Sequence, residues 1–163
     1  MKRITTARIR AMRSLGGALG QECVDWAVSL LEDGHDGRSL RILAGLTAPL
    51  NAFEVAERRD ATLSELGFIP LDSGDPVRDY AREILMEGLH GKISMSAALS
   101  LVSDLCMATN HRSDLTDFYL LHYAEADLRE AEIQFYWNGA TRANIASIVR
   151  ERALAFVAAT GRS

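Results

Sequence analysis

Apolar residues recur every three to four positions along most of the chain, which is the spacing of one face of an α-helix. The clearest example runs from Cys23 to Leu46, where two short apolar helices flank the turn Gly34-His35-Asp36-Gly37. In the first of these helices the acidic residues fall on the side opposite the apolar face. A helical hairpin this apolar cannot stand alone in water, so we expect the later helices to cover it.

Local signals mark where the next helices begin and end. Asn51 and Glu54 have the spacing of a capping box, and Gly67 is placed to end the helix that they start. Within this helix Phe53 is predicted to face inward. Asp75-Pro76 starts another helix with an N-cap followed by proline, and a further helix is expected from about Ser94 to Thr109.

The stretch from Asp114 to about Trp137 is predicted to form one long helix or two shorter ones. Phe135 belongs to the apolar stripe of this stretch. Asn138-Gly139 ends it, and Thr141 is predicted to cap the last helix. These elements together predict an all-α fold, a compact bundle of six to eight helices built from helical hairpins.

The predicted organisation is a basic helix or arm over residues 1–20, followed by a single helical domain over 21–163. The clearest internal linker runs from Ile69 to Gly74. A chain of 163 residues is long enough to bury an adequate core without disulfides or metal. Uncharged runs are far shorter than the roughly 18 to 20 residues of a membrane span, and the N-terminal stretch lacks the apolar segment of a signal peptide.

Charge is unevenly distributed along the sequence, although the net charge is only −4. Residues 1–21 contain five basic and no acidic residues, residues 22–132 contain 21 acidic and nine basic, and residues 133–163 contain four basic and one acidic. An acidic body repels phosphates, so nucleic acid is disfavoured as a partner and a basic protein is favoured. The alternative is that this charge serves solubility alone. The preference for arginine over lysine is typical of a bacterial protein from a GC-rich genome.

The two cysteines, Cys23 and Cys106, each lie on an apolar helical stripe. We therefore expect buried free thiols, which suit a reducing compartment such as the cytoplasm. Neither cysteine has a neighbouring base in the sequence, so nothing indicates a thiol nucleophile.

The arrangement closest to a metal site is Glu87 with His90, and His122 with Glu125. A Glu-x-x-His pair places a carboxylate and an imidazole on one helical face, as the metal centres of helical bundles require. Here the second pair has the reverse order, and Gly88 interrupts the first. A metal-dependent helical-bundle enzyme is thus the alternative hypothesis, while the leading interpretation requires no cofactor.

The leading interpretation is a non-enzymatic protein that binds another protein, with an immunity- or antitoxin-like protein as one form of it. Phe135, Tyr136 and Trp137 cannot all face one core, and exposed aromatic residues are typical anchors of interfaces. A homo-oligomer stays compatible with either function. The predicted partner-binding residues combine acidic side chains for a basic partner with two aromatic anchors: Asp33, Asp36, Asp114, Asp117, Tyr136 and Trp137.

Overall fold

The computed structural model describes residues 4–17, 19–68 and 74–161. The described residues form eight α-helices and no strand, which confirms the predicted all-α fold. The helices, numbered in chain order, are α1 (Thr6–Ser14), α2 (Gln21–Glu32), α3 (Arg38–Ala44), α4 (Ala52–Glu65), α5 (Pro76–Leu89), α6 (Met95–Ala108), α7 (Thr116–Glu130) and α8 (Ile145–Thr160).

The chain divides into two compact units, Met1–Val77 and Arg78–Ser163. The first contains α1 to α4, and the second contains most of α5 together with α6 to α8. The predicted linker lies outside the described residues except for Gly74, as do residues 1–3 and 18 of the predicted N-terminal segment. The prediction of one domain over 21–163 stays a prediction.

In the first unit the α2–α3 hairpin is covered by α1 and α4. Trp26 of α2 is buried, and its indole Nε1 donates a hydrogen bond to the Thr6 hydroxyl of α1 at 3.1 Å. Ile9 on α1 and Leu63 on α4 are fully buried in the same cluster as Trp26. Helix α1 is therefore a packed part of this core, and its basic side chains lie around the buried positions.

Several predicted helix ends are confirmed because they depend on local chemistry. The Asn51 side chain accepts hydrogen bonds from the backbone N–H groups of Phe53 and Glu54. Gly67 has a φ of 67°, the left-handed conformation expected after a helix. Pro76 is the first residue of α5, and Ser94 caps α6.

In the second unit α6 and α7 pack against each other, and α8 contacts both. Phe118 of α7 is buried and meets Phe156 of α8 edge to face, with 5.5 Å between the ring centroids. Both predicted thiols are buried and free: Cys23 lies in the first unit and Cys106 in the second.

Two predicted core residues are in fact exposed. Phe53 is 88% exposed and Phe135 is 93% exposed. Helix α7 ends at Glu130 because Ala131 adopts an extended conformation, so Phe135 lies in a non-helical segment and leaves the apolar stripe. Helix α8 begins at Ile145, later than the predicted cap at Thr141.

Helix length and hydropathy determine whether a helix could cross a membrane. Within the described ranges no helix is both long enough and apolar enough to cross a membrane.

Candidate functional site

A row of contacting aromatic rings follows the outer side of α7 in the second unit. The centroids of His111 and Tyr119 are 4.8 Å apart, those of Tyr119 and Tyr123 are 4.9 Å apart, and those of Tyr123 and Tyr136 are 5.6 Å apart. The His122 ring meets Tyr123 at 5.2 Å. We call these five residues the aromatic face. None of them is buried, because the core side of α7 is formed by other residues.

The turn after α6 places His111 at one end of this face. Asn110 and His111 have φ values of 54° and 58°, a left-handed conformation that is uncommon outside glycine. The backbone N–H of His111 donates to the carbonyl of Cys106, which closes the turn. Two consecutive left-handed residues cost free energy, and such conformations cluster at functional sites.

The segment after α7 places Tyr136 at the other end of the face, and the Gln134 side chain holds its shape. The amide oxygen of Gln134 accepts hydrogen bonds from the N–H groups of Tyr136 and Trp137 at 2.9 and 2.8 Å. Its amide nitrogen donates to the carbonyls of Trp137 and Ala140 at 2.6 and 3.1 Å. One side chain thus replaces the backbone hydrogen bonds that a helix would have made.

This ordered segment presents apolar side chains to solvent. Phe135 and Ile133 are exposed, Tyr136 is partly exposed, and Trp137 is half-buried. Large apolar side chains normally leave water when a neighbouring helix can cover them. Here Phe135 and Ile133 are exposed on either side of Gln134, in the segment that also supplies Tyr136 to the aromatic face.

Three of the four predicted acidic binding residues form ion pairs with arginines of their own unit. Asp36, on the turn before α3, forms an ion pair with Arg41 of that helix. Asp114 accepts from Arg112 at 2.6 Å and from Arg78 at 3.2 Å.

The third of these residues, Asp117, pairs with Arg152 of α8. Asp33 is exposed at the C-terminal end of α2. Asp33 and Asp36 belong to the first unit, whereas Asp114 and Asp117 belong to the second.

The arginines also shift the acidity of their partners. Burial by itself would raise the pKa of Asp114, but the hydrogen bonds and charges of Arg112 and Arg78 outweigh it and lower that pKa. The hydrogen bond from Arg41 lowers the pKa of Asp36 in the same way. Both carboxylates are therefore charged and already paired at neutral pH, which reduces what a basic partner would gain from them.

The predicted metal ligands do not form a metal site. Glu125 accepts hydrogen bonds from Ser96 and Arg129 at 2.6 and 3.0 Å. His122 packs on Tyr123, and His90 is exposed in the turn after α5. The described parts of the chain, which include Glu87, contain no group of three or more His, Cys, Asp or Glu side chains that could hold a metal ion.

The structure thus adds residues to the candidate site that the sequence analysis did not single out. Tyr119 and Tyr123 are four residues apart, which places them on one side of a helix, and this signal was available in the sequence. The contacts of His111 and Tyr136 with this pair were not available, since they depend on a turn and on a non-helical segment. The chain matches no protein-family model, and neither a curated protein nor a solved structure is significantly similar to it.

Proposed function

We propose that this chain is a non-enzymatic module that binds another protein through the aromatic face together with Ile133 and Phe135. One observation carries the proposal: Phe135 is almost fully exposed on a segment whose backbone the Gln134 side chain fixes. Tyrosine, histidine and phenylalanine side chains supply a large contact area at a small cost in conformational entropy. A rigid, apolar and partly hydroxylated surface of this kind is typical of interface anchors.

Charge supports a basic partner for this surface. Glu130 and Glu132 are exposed and lie three residues and one residue before Ile133 in the chain. Glu130 has no ion-pair partner among the described residues, and Glu132 has only a long contact of 3.8 Å with Arg142. Carboxylates at the edge of an apolar patch raise the rate of association with a basic partner and add selectivity.

An immunity- or antitoxin-like protein that neutralises a basic toxin or nuclease is the specific form of this proposal. A protein of that kind needs no catalytic residues and depends on fast, selective association. A cytoplasmic location belongs to the same proposal, because two buried free thiols suit a reducing compartment.

Affinity capture from the source organism tests the proposal, with the wild-type chain compared against the double variant Phe135→Ala/Tyr136→Ala. We expect a basic protein to be retained by the wild type and lost with the double variant, since truncating an interface anchor costs about 2 kcal/mol or more. Phe53→Ala is the matched control, because Phe53 is a similarly exposed phenylalanine in the other unit. Equal retention by all three proteins would refute the assignment of the surface.

A further inference from the structure

A cleft in the first unit lies beside the first turns of α4 and has a volume of about 440 Å³. This volume is within the range of roughly 300 to 1,000 Å³ that is typical of small-molecule sites. Its walls are mostly apolar and include Leu19, Leu50, Phe53 and Ala56. The residues of the cleft belong to the first unit, whereas those of the aromatic face belong to the second.

Two guanidinium groups line the cleft as well, those of Arg13 and Arg59. The Nε atoms of both arginines donate to the same oxygen, Oδ1 of Asp60, each at 2.9 Å. Both arginines that line the cleft are thus bound by the carboxylate of Asp60.

Arg59 is the unusual member of this pair, because it is only 9% exposed. Its one polar contact among the described residues is the bond from Nε to Asp60, so no protein group in those ranges uses its terminal Nη donors. These Nη atoms are not closed off from water, so an anion in the cleft can replace water as their acceptor. The planar guanidinium matches a carboxylate, which accepts two parallel hydrogen bonds.

We propose that this cleft binds a small amphipathic carboxylate. The carboxylate accepts hydrogen bonds from the Nη atoms of Arg59 beside the charge of Arg13, and the apolar body of the ligand contacts Leu19, Leu50 and Phe53. The exposed ring of Phe53 then has a role, since a bound apolar body would cover part of it. This proposal is independent of the proposed protein partner.

Isothermal titration of the purified full chain with octanoate tests the site, with octan-1-ol and acetate as the two half-ligands. Octanoate carries both required parts, whereas octan-1-ol lacks the charge and acetate lacks the apolar body. We expect octanoate to bind about tenfold or more tightly than either half-ligand, because charge-assisted hydrogen bonds and apolar contacts both contribute. Equal affinity for octanoate and octan-1-ol, or no heat at millimolar octanoate, would overturn the proposal.

Variants then locate the binding. Arg59→Gln is expected to weaken octanoate binding about tenfold, while Arg41→Gln, an exposed arginine of the same unit, leaves it unchanged. If Arg59→Gln does not fold, Ala56→Phe decides, because it fills the cleft without altering the charges. Unchanged octanoate binding in a folded Ala56→Phe protein would contradict the site. The Phe135→Ala/Tyr136→Ala variant should bind octanoate normally, so the two proposals can fail separately.

Discussion

Gln134 is the residue on which the shape of the exposed segment depends. Its side chain makes four hydrogen bonds to the backbone of residues 136–140. Both ends of the amide are used, so no other side chain of similar size satisfies the same groups. The backbone of this segment is therefore ordered before a partner binds.

Replacing Gln134 by alanine should loosen this segment without removing any aromatic ring. We expect the free energy of unfolding to fall by about 1–2 kcal/mol, since four backbone groups lose partners but gain access to water. The amide protons of Tyr136 and Trp137 should exchange faster, as measured by hydrogen exchange. Gln21→Ala, which removes a single exposed hydrogen bond to Asp25, is the control. Unchanged exchange at both amides would show that Gln134 does not hold the segment.

Cys23 gives a second prediction at the scale of one residue. Burial raises the pKa of the Cys23 thiol to about 11, although the charge of Arg59 opposes the shift. Because the thiolate is the reactive form, we expect a disulfide reagent at pH 8 to modify Cys23 only as fast as the first unit opens. Denatured protein should show two reactive thiols. Rapid modification of Cys23 in the native protein would contradict its burial.

At the scale of an element, the short helix α3 depends on a residue far away in the sequence. The carboxylate of Glu65, at the end of α4, accepts hydrogen bonds from the N–H groups of Arg38 and Ser39 at 2.9 Å each. Gly37, the N-cap residue of α3, has no side chain that could accept these hydrogen bonds. Glu65 therefore caps α3 and connects it to α4.

Replacing Glu65 by alanine should lower the free energy of unfolding by about 1–2 kcal/mol, the cost of losing a helix cap. Glu57→Ala is the matched control: Glu57 is an exposed glutamate on the same helix with no partner among the described residues. Its replacement should change stability by less than about 0.5 kcal/mol. Chemical denaturation measures both, and equal effects would mean that the cap does not stabilise α3.

The elements also show which parts of the fold can be predicted from a sequence. The starts of α4, α5 and α6 were predictable because Asn51, Pro76 and Ser94 act on neighbouring backbone groups. The end of α7 was not, since the helical period continues to Phe135 and the competing hydrogen bonds come from a side chain in a non-helical conformation. Phe53 shows the same limit: it occupies an apolar position of α4, but it is 88% exposed in the structure.

At the scale of the whole molecule, the basic ends of the sequence pair with its acidic middle. Arg8 bonds Glu22 and Arg13 bonds Asp60 in the first unit, while Arg152 bonds Asp117 in the second. Each unit contains 11 acidic and nine basic residues. Part of the charge that is segregated along the sequence is thus neutralised between residues distant in the chain.

The ion pairs of Asp114 with Arg112 and Arg78, both within residues 22–132, make stability depend on pH. The folded pKa of Asp114 lies below its unfolded value, so its stabilising contribution is complete above about pH 4, the ordinary aspartate pKa. It is lost as the pH falls through the lower, folded pKa.

We expect Asp114→Asn to lower the free energy of unfolding by about 1 kcal/mol at neutral pH and to weaken its acid dependence. Thermal unfolding across this pH range measures the effect, with the exposed Asp104→Asn as control. Parallel pH profiles for the wild type and Asp114→Asn would contradict the assignment.

The central claim is that Phe135 and the aromatic face meet a partner protein, and photo-crosslinking from that position tests it most directly. A photoreactive phenylalanine analogue at position 135, introduced in cells of the source organism, should form one discrete adduct with a basic protein. The same analogue at position 53, equally exposed but in the other unit, should give no such adduct. No adduct from position 135, or the same adducts from both positions, would contradict the account.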